Sequence, residues 1–126
     1  MPKEIIATPH APAALGPYSQ GIKVGNLVFT AGQLGLDPTT GKLVDGLEAQ
    51  TEQALQNLAA ILEAAGSRLE NVIKTTCFLA DIADFKAFNG VYGRFFAANP
   101  PARSTIQAGA LPAGARVEIE VVALGE

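Results

Sequence analysis

The sequence predicts an α+β domain, a mixed six-stranded sheet with two helices packed on one of its faces. Three observations lead there. Short apolar runs with two-residue alternation recur towards both ends of the chain; two longer stretches carry apolar residues at three- and four-residue steps; and the elements follow the order strand, strand, strand, helix, strand, helix, strand, strand. With 126 residues, 48% of them hydrophobic and 17% charged, the chain can form one domain, 1–126, with a core that needs no staples.

Lys3 to Ala7 is a short strand, ended by the region of Pro9 and Pro12, where backbone donors are missing. Gly16 to Gly21 turns the chain. Ile22 to Val24 and Leu27 to Ala31 then flank Gly25-Asn26, a two-residue connection that tolerates positive φ and closes a hairpin. Gly32-Gln33-Leu34-Gly35 leaves that hairpin, and with the turn-forming Asp37 to Gly41 it reads as exposed loop. The two glycines either let a ligand approach the backbone or only accommodate a bend.

From Leu47 to Ala65 the positions Ala54, Leu55, Leu58, Ile61, Leu62 and Ala65 form the apolar stripe of an amphipathic helix, with Gly66 as its stop. Ser67 and Glu70 have capping-box spacing and predict one further helical turn. Val72 to Leu79 is a strand, with Ile73, Thr75, Cys77 and Leu79 on one side and Val72, Lys74, Thr76 and Phe78 on the other. Cys77 is a core residue in this reading, since no histidine is placed to activate it. Asp84 caps the second helix, whose Phe85, Phe88, Tyr92, Phe95 and Phe96 form an aromatic core stripe with Asn89 beside it. Gly90 and Gly93, unfavourable in a helix by about 1 kcal/mol each, predict close packing of another backbone there.

Asn99-Pro100-Pro101 stops this helix. Arg103 to Ala108 and Ala115 to Leu124 read as a second hairpin around Leu111 to Gly114. It carries the functional lead: Arg103 lies on one strand, and Glu118 and Glu120 share a face of the other. Isolated charge in a sheet is costly unless solvated, paired or used. An ion pair of Arg103 with Glu120 across the hairpin, and a solvated rim position for Glu118, are the structural alternatives.

Composition narrows the function. A net charge of -3 with nine scattered Lys and Arg gives no footprint for nucleic acid. No apolar run is long enough to span a membrane. The single histidine, His10, has no second His or Cys at ligand spacing, so no metal site is expected. One cysteine, and no charged-then-apolar leader at the start, point to a cytoplasmic location. Two helices cover only one sheet face, and the apolar residues on the other, such as Phe78 and Val122, predict a second subunit against it.

Several motifs in series carry a resemblance. Ala11-Pro12-Ala13-Ala14-Leu15-Gly16-Pro17-Tyr18-Ser19-Gln20, Phe29-Thr30-Ala31-Gly32-Gln33, Val72-Ile73-Lys74-Thr75-Thr76, Pro101-Ala102-Arg103-Ser104 and Val117-Glu118-Ile119-Glu120 resemble the successive signatures of the Rid family, the YjgF-like reactive imine and enamine deaminases. The resemblance implies a chorismate-mutase-like subunit in a homotrimer with interfacial sites. It also implies cofactor-independent hydrolysis of 2-iminoacids or their enamines, such as 2-aminoacrylate, to 2-oxoacids and ammonia. By motif position it implies that Arg103 binds the substrate carboxylate and Glu118 holds the attacking water, while Tyr18, Asn89, Gly32 and Thr105 line the pocket. Thr105 stands where many members carry Cys, and Ala31 where many carry Ser; the first change removes a thiol from the implied pocket. A non-catalytic metabolite binder or chaperone-like protein, and an endoribonuclease or translation inhibitor, are the competing classes.

Overall fold

Val117–Leu124, the last strand in the sequence, lies in the middle of the sheet. In the computed structural model, which describes residues 1–125, the elements are β1 (Glu4–Ile6), β2 (Gly21–Val24), β3 (Leu27–Thr30), β4 (Gln33–Leu34), α1 (Leu47–Ala64), β5 (Val72–Leu79), α2 (Phe85–Phe95), β6 (Ala102–Gln107) and β7 (Val117–Leu124). The strand order is β1-β2-β3-β7-β5-β6, with β4 also paired to β7. All pairings are antiparallel except β5 with β6, which makes the sheet mixed. Both helices pack on one face, as the α+β reading expects.

The core follows from alternation. Val117, Ile119, Val121 and Ala123 of β7 are buried beneath the helices, while Glu118, Glu120 and Val122 point to the opposite face. Leu55, Leu58, Ile61 and Leu62 of α1 are all fully buried against them, each contributing about 1.5–3 kcal/mol. α1 ends in a Schellman motif: Gly66 N–H donates to Glu63 O at 3.0 Å and Ser67 N–H to Leu62 O at 2.8 Å. Gly66 takes φ 78°, the left-handed conformation that this cap requires. Lys23 Nζ donates to the terminal Ala65 carbonyl at 3.0 Å, placing a cation at the negative end of the helix.

Several expectations are corrected. The second hairpin does not exist. β6 pairs in parallel with β5, from Lys74↔Ala102 to Leu79↔Gln107, and β5 separates it from β7. The chain crosses over through α2, which covers the buried side of β5 and lets the two strands run the same way. Gln33–Leu34, expected as exposed loop, is β4, and Gln33 is buried. Ile73 and Val72 exchange sides, because the register shifts between Val72 and Lys74 and this bulge turns Ile73 outward.

Other corrections concern caps and packing. Ser67 is not a side-chain cap; its hydroxyl donates to Leu124 O at 2.6 Å, although the 3₁₀ turn at Leu69–Asn71 is present. The Asp84 carboxylate makes no cap bond to α2 and instead pairs with Arg116 at 2.9 Å. Gly90 and Gly93 have open space where a Cβ would stand, so no described backbone packs there. Phe85 is the exposed member of the aromatic stripe. Cys77 is buried as expected, and burial pushes its thiol up to about 11.

Asn57 falls between apolar positions of α1 in the sequence but is buried. Its amide donates to the Leu34 and Leu36 carbonyls at 3.2 and 2.9 Å, which fixes β4 to the helix. Removing those bonds leaves two part-buried carbonyls without their partner, so Asn57→Ala is expected to lower stability by about 1–3 kcal/mol, read from the denaturant midpoint.

Candidate active site

Glu118 is placed by two features of β7. Its neighbours Val117 and Ile119 must face the core, so Glu118 must face away from the helices. The partner strand also makes room for it. Phe29 opposes Val122 and Gln33 opposes Ile119, so four steps on one side meet three on β7, the signature of a bulge between β3 and β4. Thr30 Oγ1 accepts the Val121 N–H at 3.1 Å, satisfying a β7 donor at the bulge. A Cβ on Gly32 would stand 2.5 Å from Glu118 Oε2, so the glycine is needed for the carboxylate to lie where it does. The close approach that Gly32 permits here is that of the Glu118 side chain.

Tyr18 comes to the same place on the loop before β2. Gln20 holds that loop: its amide donates to the Thr8, Ala11 and Pro12 carbonyls at 3.1, 3.3 and 2.7 Å and accepts the Thr8 N–H at 2.7 Å. The Tyr18 hydroxyl accepts the Leu15 N–H at 3.2 Å. Tyr18, Ala31, Gly32, Pro112 and Glu118 line an open cleft of about 300 Å³. Partial burial raises the Glu118 carboxyl above the usual range, and the Glu120 charge on the same strand face raises it further.

Arg103 sits elsewhere. In the parallel register it lies beside Thr75, so its side chain shares the helix-covered face. There Nη1 donates to Asn89 Oδ1 at 2.8 Å. The guanidinium stands over the rings of Phe85, Phe88 and Tyr92, at 5.3, 5.7 and 4.7 Å from their centroids. Among the described residues it has no carboxylate partner; the ion pairs are Arg94 with Glu52 and Arg116 with Asp84. Thr105, beside Cys77 in the register, has a buried Oγ1 with no hydrogen-bond partner.

The six sequence-predicted residues therefore form two groups. Tyr18, Gly32 and Glu118 share the cleft on the open side; Arg103, Asn89 and Thr105 share the α2 side. β5 lies between the strands that carry Arg103 and Glu118, and the two side chains emerge on opposite faces. An Arg103–Glu120 pair is thereby excluded within one chain, since Glu120 shares the Glu118 face. Sequence reasoning missed the aromatic surroundings of Arg103, because the spacing of Phe85, Phe88 and Tyr92 reads equally as core. It also missed the Gln20 clamp, for which no local signal exists. Groups of His, Cys, Asp and Glu arranged to hold a metal ion are absent among the described residues, and no helix there is long and apolar enough to cross a membrane.

A carboxylate raised on folding is a destabilising group once ionised. Below its unfolded pKa both states carry the proton and nothing is lost; as pH rises through the interval up to the folded pKa, the folded state pays the penalty. Glu118→Gln is accordingly expected to stabilise the protein at pH 7, by no more than about 1 kcal/mol for this half-exposed group. Thermal denaturation at pH 7 and pH 4 checks this: the advantage should shrink at the lower pH.

The comparisons with known proteins agree with the motif series. The sequence profile of the family described as Endoribonuclease L-PSP matches residues 8–125. The chain is 56% identical over 122 residues to Reactive Intermediate Deaminase A, chloroplastic, of Arabidopsis thaliana, covering 96% of this chain and 65% of the plant protein. It thus spans just under two-thirds of that relative. It is 47% identical over 123 residues to the 2-iminobutanoate/2-iminopropanoate deaminase of Homo sapiens, covering 97% of this chain and 90% of the human one. The solved structure of E. coli TdcF with bound serine superposes with a TM-score of 0.94 at 40% identity, covering 98% and 99% of the two chains. On profile, identity and fold together, the chain belongs to the Endoribonuclease L-PSP family, the Rid or YjgF-like group that its motifs resemble.

Proposed function

We propose that this protein hydrolyses 2-iminoacids and their enamine tautomers, of the 2-aminoacrylate and 2-iminobutanoate class, to 2-oxoacids and ammonia. Relatives named as deaminases of such compounds support the reaction class, and a neighbour with bound serine supports a small amino-acid-like ligand. They do not favour a chaperone-like binder or a ribonuclease. The single observation that carries the reading is the uncompensated Arg103 guanidinium in its aromatic surroundings. A planar guanidinium binds a carboxylate through two parallel hydrogen bonds, which fixes the substrate's orientation as well as its charge.

Hydrolysis then needs a positioned water and a proton acceptor, because the imine carbon next to the carboxylate is already electrophilic. Glu118 accepts a proton from that water as the oxygen attacks the C=N carbon. The resulting carbinolamine collapses to the C=O bond, and the nitrogen leaves as ammonia with the protons it has gained. One imine and one water give one oxoacid and one ammonia. The raised Glu118 pKa suits this role, since a general base works best when its pKa approaches the working pH. Tyr18 supplies a ring and hydroxyl to the wall of the Glu118 cleft.

Arg103 and Glu118 of one chain face apart, so the reading requires a second copy of the chain to bring its Glu118 cleft to the first copy's Arg103. The open sheet face suits such a contact, because Ile5, Phe29, Ile73, Ile106 and Leu124 lie exposed on it. In a closed ring of three copies, each seam forms one site.

The reading is tested by generating the imines in situ with an amino-acid dehydratase and following their decay with and without the protein. Arg103→Ala is expected to lose about tenfold to a hundredfold in kcat/KM; unchanged efficiency in a folded variant would remove the assignment. Subunit mixing tests the seam. Arg103→Ala and Glu118→Ala proteins, each strongly impaired alone, should regain about a quarter of the wild-type sites when co-refolded at equal amounts in a three-fold ring. No regain would show that each site is built within one chain.

A further inference from the structure

The surroundings of Arg103 differ from an ordinary structural arginine site in their charge. Its hydrogen-bond acceptor is the neutral amide of Asn89, and its other close neighbours are ring faces. The ion pairs among the described residues leave Arg103 out: Asp84 pairs with Arg116 and Glu52 with Arg94. Tyr92, the ring nearest the guanidinium, is itself fixed. Its hydroxyl shares a 2.8 Å hydrogen bond with the fully buried Thr75, and its ring packs between Phe88 and Phe96 at centroid distances of 5.4 and 4.7 Å.

We infer that Asn89 and Tyr92 are positioning residues for Arg103, a neutral acceptor and an anchored ring that hold the guanidinium in place without neutralising it. This rests on the reading that Arg103 binds a carboxylate, and it explains how that arginine keeps its affinity. A carboxylate at the Asn89 position would hold the guanidinium at least as firmly, since charged acceptors make stronger bonds. It would also occupy one edge of the donor fork and cancel the charge that draws the ligand. Ring faces attract the cation through their quadrupoles and add no net charge. Asn89, assigned to substrate binding by motif position, thus acts through Arg103, with its Oδ1 already engaged by Nη1.

The variants that separate these roles are Asn89→Ala, Asn89→Asp, Tyr92→Leu and Tyr92→Phe, with Arg103→Ala as control. Folding is checked by circular dichroism. Binding is measured by calorimetry with 2-oxobutanoate, an unreactive carboxylate, and turnover with imine generated in situ. Asn89→Asp is expected to bind 2-oxobutanoate on the order of tenfold more weakly than Asn89→Ala, the reverse of what a purely structural hydrogen bond would give, with the loss in KM more than in kcat. Tyr92→Leu should weaken binding by about threefold to tenfold, and Tyr92→Phe, which keeps the ring but not the Thr75 bond, should recover part of that loss. Should Tyr92→Leu fail to fold, the Asn89 pair decides alone. Asn89→Asp binding as well as or better than Asn89→Ala would overturn the inference while leaving the functional reading intact. Wild-type affinity in Arg103→Ala would overturn both.

Discussion

The alternation of β7 is the constraint on which the other features depend. It is paired on both sides and buried on one face by α1, so Val117, Ile119, Val121 and Ala123 admit no other register without exposing the core. Glu118 and Glu120 are thereby forced onto the open face. β5 inherits the same alternation through Cys77↔Ile119, and β6 inherits it from β5 through Thr75↔Arg103. One register thus sends the arginine towards the helices and the glutamates away from them. The two charged groups are kept apart by hydrogen-bond geometry along three strands, with no specific contact needed to separate them.

The open side is held by buried polar residues. Gln20 ties down the loop carrying Tyr18, Asn57 ties β4 to α1, and Gln50 Oε1 accepts the Arg116 N–H at 2.9 Å where the chain enters β7. Each substitutes for a ladder that a two-residue strand or a loop cannot provide. Their combined effect is a rigid frame around a carboxylate that is unfavourable where it stands, partly desolvated and beside a like charge. Such cost at a cleft is characteristic of sites kept for chemistry rather than for stability.

Elements whose periodicity is local were legible in the sequence: both helices, the β2–β3 hairpin and the central strands. Glycine and proline placed most of their ends. What was not legible depended on partners distant in the chain. Arg103 and Glu118 lie 15 residues apart in sequence around turn formers, which reads as a hairpin, and only the crossover through α2 shows that β5 intervenes. β4 is too short for any periodicity and exists because β7 offers it an edge. The burial of Asn57 and Gln20 depends on carbonyls that loops bring to them. The identities of Arg103 and Glu118 as the unusual charges were readable; that they face apart was not, because facing is a property of register.

The separation has an electrostatic consequence. On the same face of adjacent strands, an arginine and a glutamate neutralise each other, and a carboxylate ligand has to break that pair before binding. On opposite faces, each group stays uncompensated within its own chain: Arg103 among ring faces and a neutral amide, Glu118 with its proton affinity raised. Under the function proposed above, contact between copies brings a charge-hungry guanidinium and a basic carboxylate to the two ends of one small substrate. The substrate's own carboxylate then lies between them in charge, satisfying the arginine and keeping the glutamate basic enough to take a proton from water. A sheet that divides its charges between two faces is therefore a way of preserving, through folding, two uncompensated charges that would neutralise each other if folding brought them together.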